Sequence, residues 1–211
     1  MPAITKTSAR TAQTDSSHKS LDQSSDKTPE KSSGKAKPKT ADKSKAASRA
    51  SDGAVDAIKL LTDDHKEVQA LFKAYQKLVD DEGEDDLREQ LAQDICAKLT
   101  VHATIEEEIF YPAARGAMED EDGDDLLDEA EVEHAGAKDL IAQIAEGAPS
   151  DALYDAKVKV LGEYIAHHVK EEEQALFPKV RKSGVDLDAL GDELSARKAE
   201  LLVELEEEAA S

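Results

Sequence analysis

Four histidines and two glutamates stand on the apolar stripes of helical patterns: His65, His102, Glu106, His134, His168 and Glu172. His102 lies four residues before Glu106, and His168 lies four before Glu172. Positions i and i+4 of an α-helix sit one above the other, so each pair points the same way at about the same level. A carboxylate on a core stripe needs a compensating charge, because burying it unpaired is costly or forces it to neutralise. A bound cation supplies that charge. Imidazole and carboxylate donors without thiolate suit a pair of iron or manganese ions better than a tetrahedral zinc ion, and iron is the first choice.

The six residues also form a repeat. The first half carries His65 and then His102-x3-Glu106; the second carries His134 and then His168-x3-Glu172. His65 and His102 are 37 residues apart, and His134 and His168 are 34 apart. His102 precedes Pro112 by ten residues, as His168 precedes Pro178, and aromatic residues fall just before each proline. Two such halves packed together bring four imidazoles and two carboxylates into one core. His167 competes with His168 for the helix-four position, with a wider spacing to Glu172. The apolar phase and the match to helix two favour His168.

These residues must be positioned by helices. Aromatic residues are 3% of the chain and there is no Trp, so the core is built from Leu, Ile, Val and Ala, which favours helix packing. Periodicity places helix one over about 55–80, with a stripe of Ile58, Leu61, His65, Val68, Phe72 and Tyr75. Thr62 is an alternative cap for a later start. Helix two spans about 86–114, with Leu87, Leu91, Ile95, Leu99, His102, Glu106 and Ile109 inward; Pro112 should kink or end it. An acidic loop over 119–125 follows. Helix three spans about 124–146 on Leu127, Ala130, His134, Ala137, Ile141 and Ile144. Helix four starts near Ser150 as cap and runs to about Arg181, where Ser183-Gly184 stops it. A fifth helix over about 187–208 packs across the bundle or against another chain. The fold expected is all-α: an up-down-up-down four-helix bundle over 54–182, with an additional C-terminal helix over 183–211.

Residues 1–53 are rich in Ser, Thr, Lys, Ala and Asp and poor in large apolar side chains, so a disordered basic and polar tail is expected there. The formal net charge is −21, and all of the acidic excess lies beyond that tail. The bundle should therefore repel nucleic acid and anionic membrane, and no specific nucleic-acid or membrane partner is expected. One cysteine, Cys96, rules out an intrachain disulfide framework and points to a reducing, cytoplasmic setting. There is no apolar run of membrane-spanning length and no secretory leader pattern. The 119–125 loop lacks the spaced pattern of a calcium loop.

With these residues in view, the chain resembles the hemerythrin-like family of HHE cation-binding domains. The likeness rests on Asp64-His65, His102-x3-Glu106, His134 and His168-x3-Glu172, with Phe110-Tyr111-Pro112 and Leu176-Phe177-Pro178 as motif ends, over about 54–182. The resemblance implies two iron ions (Fe2+/Fe3+) with a bridging oxygen species, Glu106 and Glu172 as bridges and the four histidines as terminal ligands, manganese or zinc being the lesser alternatives. Oxygen-carrying members have a second histidine on helix three, where this chain has Lys138. They also carry an aspartate one position further along helix four. Both departures favour the sensor and stress-related members. The function expected is binding or sensing of oxygen, peroxide or nitric oxide in a stress or iron-homeostasis role. The alternative is an iron-buffering or iron-responsive module without turnover. Binding is expected ahead of enzymatic activity, with oxygen or peroxide reactivity as the enzymatic alternative. The C-terminal helix offers a face for an oligomer.

Overall fold

Helical periodicity is realised along nearly all of the 55–118 and 121–209 stretches, which are the residues the computed structural model describes. The polar tail expected over 1–53 lies outside them. There is no strand among the described residues. α1 (Ala57–Asp80) begins on Asp56, whose side chain accepts a hydrogen bond from the Lys59 amide at 2.9 Å, so the helix starts well before Thr62. Arg181 pairs with the same carboxylate at 3.0 Å, tying the start of α1 to the end of the second half.

The second helical stretch is continuous but not uniform. α2 (Asp85–Ile105) passes into a π-helical turn, Glu106–Phe110, and then α3 (Tyr111–Ala117). After α4 (Glu121–Ala145), α5 (Tyr154–Glu171) does the same, with a π-helical turn at Glu172–Leu176 followed by α6 (Phe177–Ser183). Each π turn opens on the glutamate of a His-x3-Glu pair and ends just before an aromatic-Pro pair. The Tyr111 amide bonds back to the Glu106 carbonyl, and the Phe177 amide to the Glu172 carbonyl. Proline explains the placement. Pro112 and Pro178 lack an N–H, and their rings would collide with the carbonyl four residues back in a regular helix. Widening one turn relieves the collision without ending the helix. Pro112 thus shifts the register rather than stopping the chain. Phe110 and Tyr111 both become buried, as do Leu176 and Phe177, while Ile109 is only half-buried.

Three further expectations are corrected. The acidic stretch expected as a loop over 119–125 is helical from Glu121, where negative charge complements the helix N-terminus. Ser150 does not cap the fourth helical stretch. Asp151 instead folds the connection by accepting from the Ala148 amide at 3.0 Å, and α5 starts at Tyr154. Leu87 is exposed rather than inward. Gly184 ends α6 in the left-handed region, with φ 86°, as a helix-terminating glycine does.

α1, α2, α4 and α5 pack in a ring, α1 on α2, α2 on α4, α4 on α5 and α5 on α1. α7 (Leu187–Ala209) lies against α1 and α2, with Leu190 and Leu194 buried. Two apolar layers result. One contains Leu61, Ile105, Phe110, Leu127, Leu176 and Leu194; the other contains Val68, Ile95, Leu99, Ile144, Leu161 and Ile165. Along α1 His65 falls between Leu61 and Val68, and along α2 His102 falls between Leu99 and Ile105. The polar cluster therefore sits between two water-excluding layers.

α7 meets the start of α1 through a glycine. A Cβ on Gly191 would fall 1.6 Å from the carbonyl oxygen of Val55, and backbone cannot yield as a flexible side chain can. Gly191→Ala is expected to destabilise the protein by about 2 kcal/mol or more, read as a fall of several degrees in Tm by calorimetry. An unchanged Tm would mean that α7 does not approach α1 this closely.

Candidate metal centre

His65, His102, Glu106, His134, His168 and Glu172 are all buried, with no more than 8% of any residue exposed. α1 and α2 bring His65 and His102 together, Nε2 to Nε2 at 3.1 Å; α4 and α5 bring His134 and His168 together at the same 3.1 Å separation. Glu106 Oε2 lies 3.2 Å from His102 Nε2 and 3.5 Å from His134 Nε2. Glu172 Oε2 lies 3.2 Å from His65 Nε2 and 3.5 Å from His168 Nε2. Each carboxylate therefore spans one histidine of each pair. Two donor sets result that share Glu106: His65, His102, Glu106 and Glu172, and Glu106, His134 and His168.

The outer nitrogens explain which way the inner ones face. His65 Nδ1 lies 3.0 Å from Glu173, His134 Nδ1 2.9 Å from Glu107, and His168 Nδ1 2.8 Å from Glu133. A carboxylate accepts, so each Nδ1 carries the proton and donates, leaving the Nε2 lone pair inward. Asp64 stands behind His102 at 3.6 Å, beyond hydrogen-bond reach, and pairs instead with Lys198 of α7. The pattern is a pseudo-twofold. The residue before His65 backs His102, and the residue before His134 backs His168. The residue after each core glutamate backs a histidine of the other half. Such outer carboxylates orient imidazoles for metal binding and raise their basicity.

In the His134–His168 pair both inward nitrogens present lone pairs at 3.1 Å, and these repel unless something positive lies between them. Both oxygens of Glu106 and Oε2 of Glu172 are buried without a hydrogen-bond partner. Buried polar atoms are nearly always satisfied, and a cation held between the two acids would satisfy these oxygens. The residues present thus fit a metal centre.

The protonation pattern without metal follows from burial. Burial, reinforced by the Glu172 charge, raises Glu106 well above the usual carboxylate range and keeps it protonated. Burial alone would also raise Glu172, but His65, His168 and His102 outweigh it and hold that carboxyl at about 2. Burial and the neighbouring His168 lower His134 to about 4. Burial likewise lowers His102. It opposes the shift of His65, which Glu172 and Glu173 nonetheless raise.

The structure separates His168 from its rival: His168 is 3% exposed and points inward, while the His167 side chain is 57% exposed. Sequence reading missed the backing carboxylates Asp64, Glu107, Glu133 and Glu173 as a set. Their signal is adjacency, each next to a core His or Glu. It also missed Tyr111, whose hydroxyl donates to Glu172 Oε1 at 2.9 Å and lies 3.3 Å from His134 Nε2. The equivalent residue of the second half is Phe177, which stacks on His65 with centroids 5.8 Å apart. Burial, reinforced by the Glu172 charge, raises the Tyr111 phenol well above its ordinary value and keeps it a donor. Lys138 does not reach the cluster as a ligand; its ammonium pairs with Glu107 at 2.6 Å. Tyr75 turns away, donating to Asp155 at 2.7 Å. Cys96 is a buried thiol raised to about 11 by burial.

The family model for the hemerythrin HHE cation binding domain matches residues 56–180. A curated protein described as a DNA nickase, from Nostoc sp. (strain PCC 7120), is 32% identical over 120 residues, 57% of this chain; the chain spans about a third of the length of that relative, 32%. The crystal structure of a hemerythrin HHE cation binding domain-containing protein from Mycobacterium kansasii superposes with a TM-score of 0.57 at 22% identity. That match covers 70% of this chain and 87% of the other, and shows the shared fold.

The shifts predict an acid-labile metal-free core. His134 and His102 lie below their ordinary value, so the unfolded chain takes up those protons first and stability falls as pH drops from 6.5 towards about 4. Glu172 adds a second loss as pH falls from 4.5 towards about 2. Glu106, shifted upward, opposes part of the first loss down to 4.5, whereas the contribution of His65 is complete below 6.5 and adds no slope there. Urea midpoints of the metal-free protein should fall steadily from pH 6.5 to 4, with a shallower slope in His134→Gln. A flat midpoint over that window would contradict the assignment.

Proposed function

The chain belongs to the hemerythrin HHE cation-binding family, and from that membership and the cluster's geometry we propose that it holds two iron ions bridged by Glu106 and Glu172, with His65 and His102 on one and His134 and His168 on the other. The single observation that carries this reading is that each buried carboxylate spans one histidine of each pair, while three carboxylate oxygens find no protein donor. When bound, a pair of irons supplies redox chemistry and an open position for oxygen, peroxide or nitric oxide. Binding or sensing such a ligand, in a stress or iron-homeostasis role, is the function we assign.

The chain's own residues prepare the site for this. Glu173, Glu107 and Glu133 hold three imidazole rings with lone pairs inward. Tyr111 holds Glu172 by donating to Oε1 and keeps a proton at its hydroxyl beside His134. Phe177 gives the other half an apolar wall instead, so the two metal positions are inequivalent. An apolar cavity of about 20 Å³, measured as space for the centre of a water-sized molecule, lies against all four histidines. Val68, Leu99, Ala137, Ile141, Ile165 and Val169 are among its walls, and it suits a diatomic molecule. Lys138 also lines it, held by Glu107.

The up-down-up-down order and the boundary of the bundle at 54–182 belong to the same reading, supported by the short connections before α2 and α5. So does a cytoplasmic setting, supported by the lone buried thiol. The nickase activity named for the Nostoc relative is not assigned to this chain, whose bundle is strongly acidic. An iron-responsive module without turnover is the second reading. It is favoured by α7, whose Lys198 pairs with Asp64 behind His102 and whose Arg197 pairs with Glu108 beside Glu107.

Anaerobic Fe2+ titration of the full chain should saturate at two equivalents, with a coupled pair in the Mössbauer spectrum after oxidation. Tight zinc with no iron retained would overturn the iron assignment. Glu106→Gln, nearly isosteric with the protonated acid, should change the stability of the metal-free protein by less than about 1.5 kcal/mol. It should also abolish the rise in Tm that Fe2+ produces in the parent. An undiminished rise would remove Glu106 from the centre.

A further inference from the structure

One residue back from His168-x3-Glu172, α5 carries the same spacing again: His167-x3-Glu171. A one-residue step turns a helix by about 100°, so this second pair faces outward rather than into the core. Glu133 of α4 meets it. His167 Nε2 lies 3.3 Å from Glu171 Oε1 and 3.6 Å from Glu133 Oε1, and donor atoms of the three residues lie within 4.8 Å of one another.

The cluster is more than surface acidity. Glu133 is only 9% exposed. Its Oε2 is taken by His168 Nδ1 at 2.8 Å, while its Oε1 is aimed at His167 and accepts no hydrogen bond from a described residue. Neither contact of His167 Nε2 has hydrogen-bond geometry. Two ligands bound at about 2.1 Å to one tetrahedral cation lie roughly 3.4 Å apart, which is the separation seen here. Among the described residues no Lys or Arg forms an ion pair with Glu133 or Glu171, and the counter-groups they meet there are histidines. The acidic bundle raises the local concentration of cations around them.

We propose that Glu133, His167 and Glu171 form an outer site for a divalent first-row cation, Zn2+ or Fe2+, separate from the buried cluster and joined to it through the two oxygens of Glu133. One imidazole and two carboxylates without thiolate fit that class, with solvent completing the shell. Occupancy fixes Glu133, and through Glu133 the ring of His168.

The test is equilibrium dialysis of the full chain, stripped with chelator, against Zn2+, with elemental analysis of bound metal per chain. His167→Ala and Glu171→Gln should each bind one equivalent less than the parent, with helical content unchanged. Glu171→Gln leaves Glu133 and His168 intact, so its loss of one equivalent is not a side effect on the core. The inner centre is separated by a Glu106→Gln background, in which the same one-equivalent difference should persist. Failure of the inner reading alone would leave that difference standing. Equal metal content in the parent and both outer variants would overturn the outer site.

Discussion

Four imidazole rings and two carboxylates converge in a dry core where every oxygen of the two acids but Glu172 Oε1 lacks a hydrogen-bond partner. Nε2 atoms face each other at 3.1 Å in both histidine pairs, and both oxygens of Glu106 lack a partner. In water such an arrangement costs little. Between two apolar layers it is tolerated only by neutralising one acid or by admitting cations. Without metal the chain takes the first course, keeping Glu106 protonated and Glu172 ionised. With metal it takes the second, and the energy of relieving the cluster becomes energy of folding.

The rest of the structure keeps that convergence in place. Prolines at 112 and 178 widen one turn at each glutamate, so the acid and the aromatic residues after it all face inward. Glu107 and Glu173 each reach the outer nitrogen of an imidazole across in the other half, and Glu133 reaches one within its own. Thus each half orients an imidazole of the other. The repeat is not perfect. Tyr111 places a hydroxyl where Phe177 places a ring, and Asp64 turns partly to Lys198 where Glu133 is committed to His168. These differences give two chemically distinct positions within one nearly symmetric frame.

Much of this was legible in the sequence because helices repeat every 3.6 residues. The inward phase of His65, His134, His168 and Glu172 follows from the apolar residues three and four positions away, and the five helical stretches follow from the same pattern. The structure leaves less of it readable where that period breaks. Ile109 belongs on the stripe of a regular helix, but the π turn gives its place to Phe110 and Tyr111. For the same reason the hydroxyl on Glu172 could not be foreseen. The backing carboxylates read as exposed glutamate runs, since a glutamate beside a core position looks solvent-facing until a histidine on another helix is placed next to it. Likewise, nothing in the sequence says that Lys198, far along the chain, meets Asp64.

The most direct test is an anomalous-scattering crystal structure of the anaerobically iron-loaded chain, with data at the iron edge. Two iron peaks between Glu106 and Glu172, each within bonding distance of one histidine pair, are predicted. Peaks confined to surface carboxylates, or a core in which the four Nε2 atoms surround only water, would contradict the account.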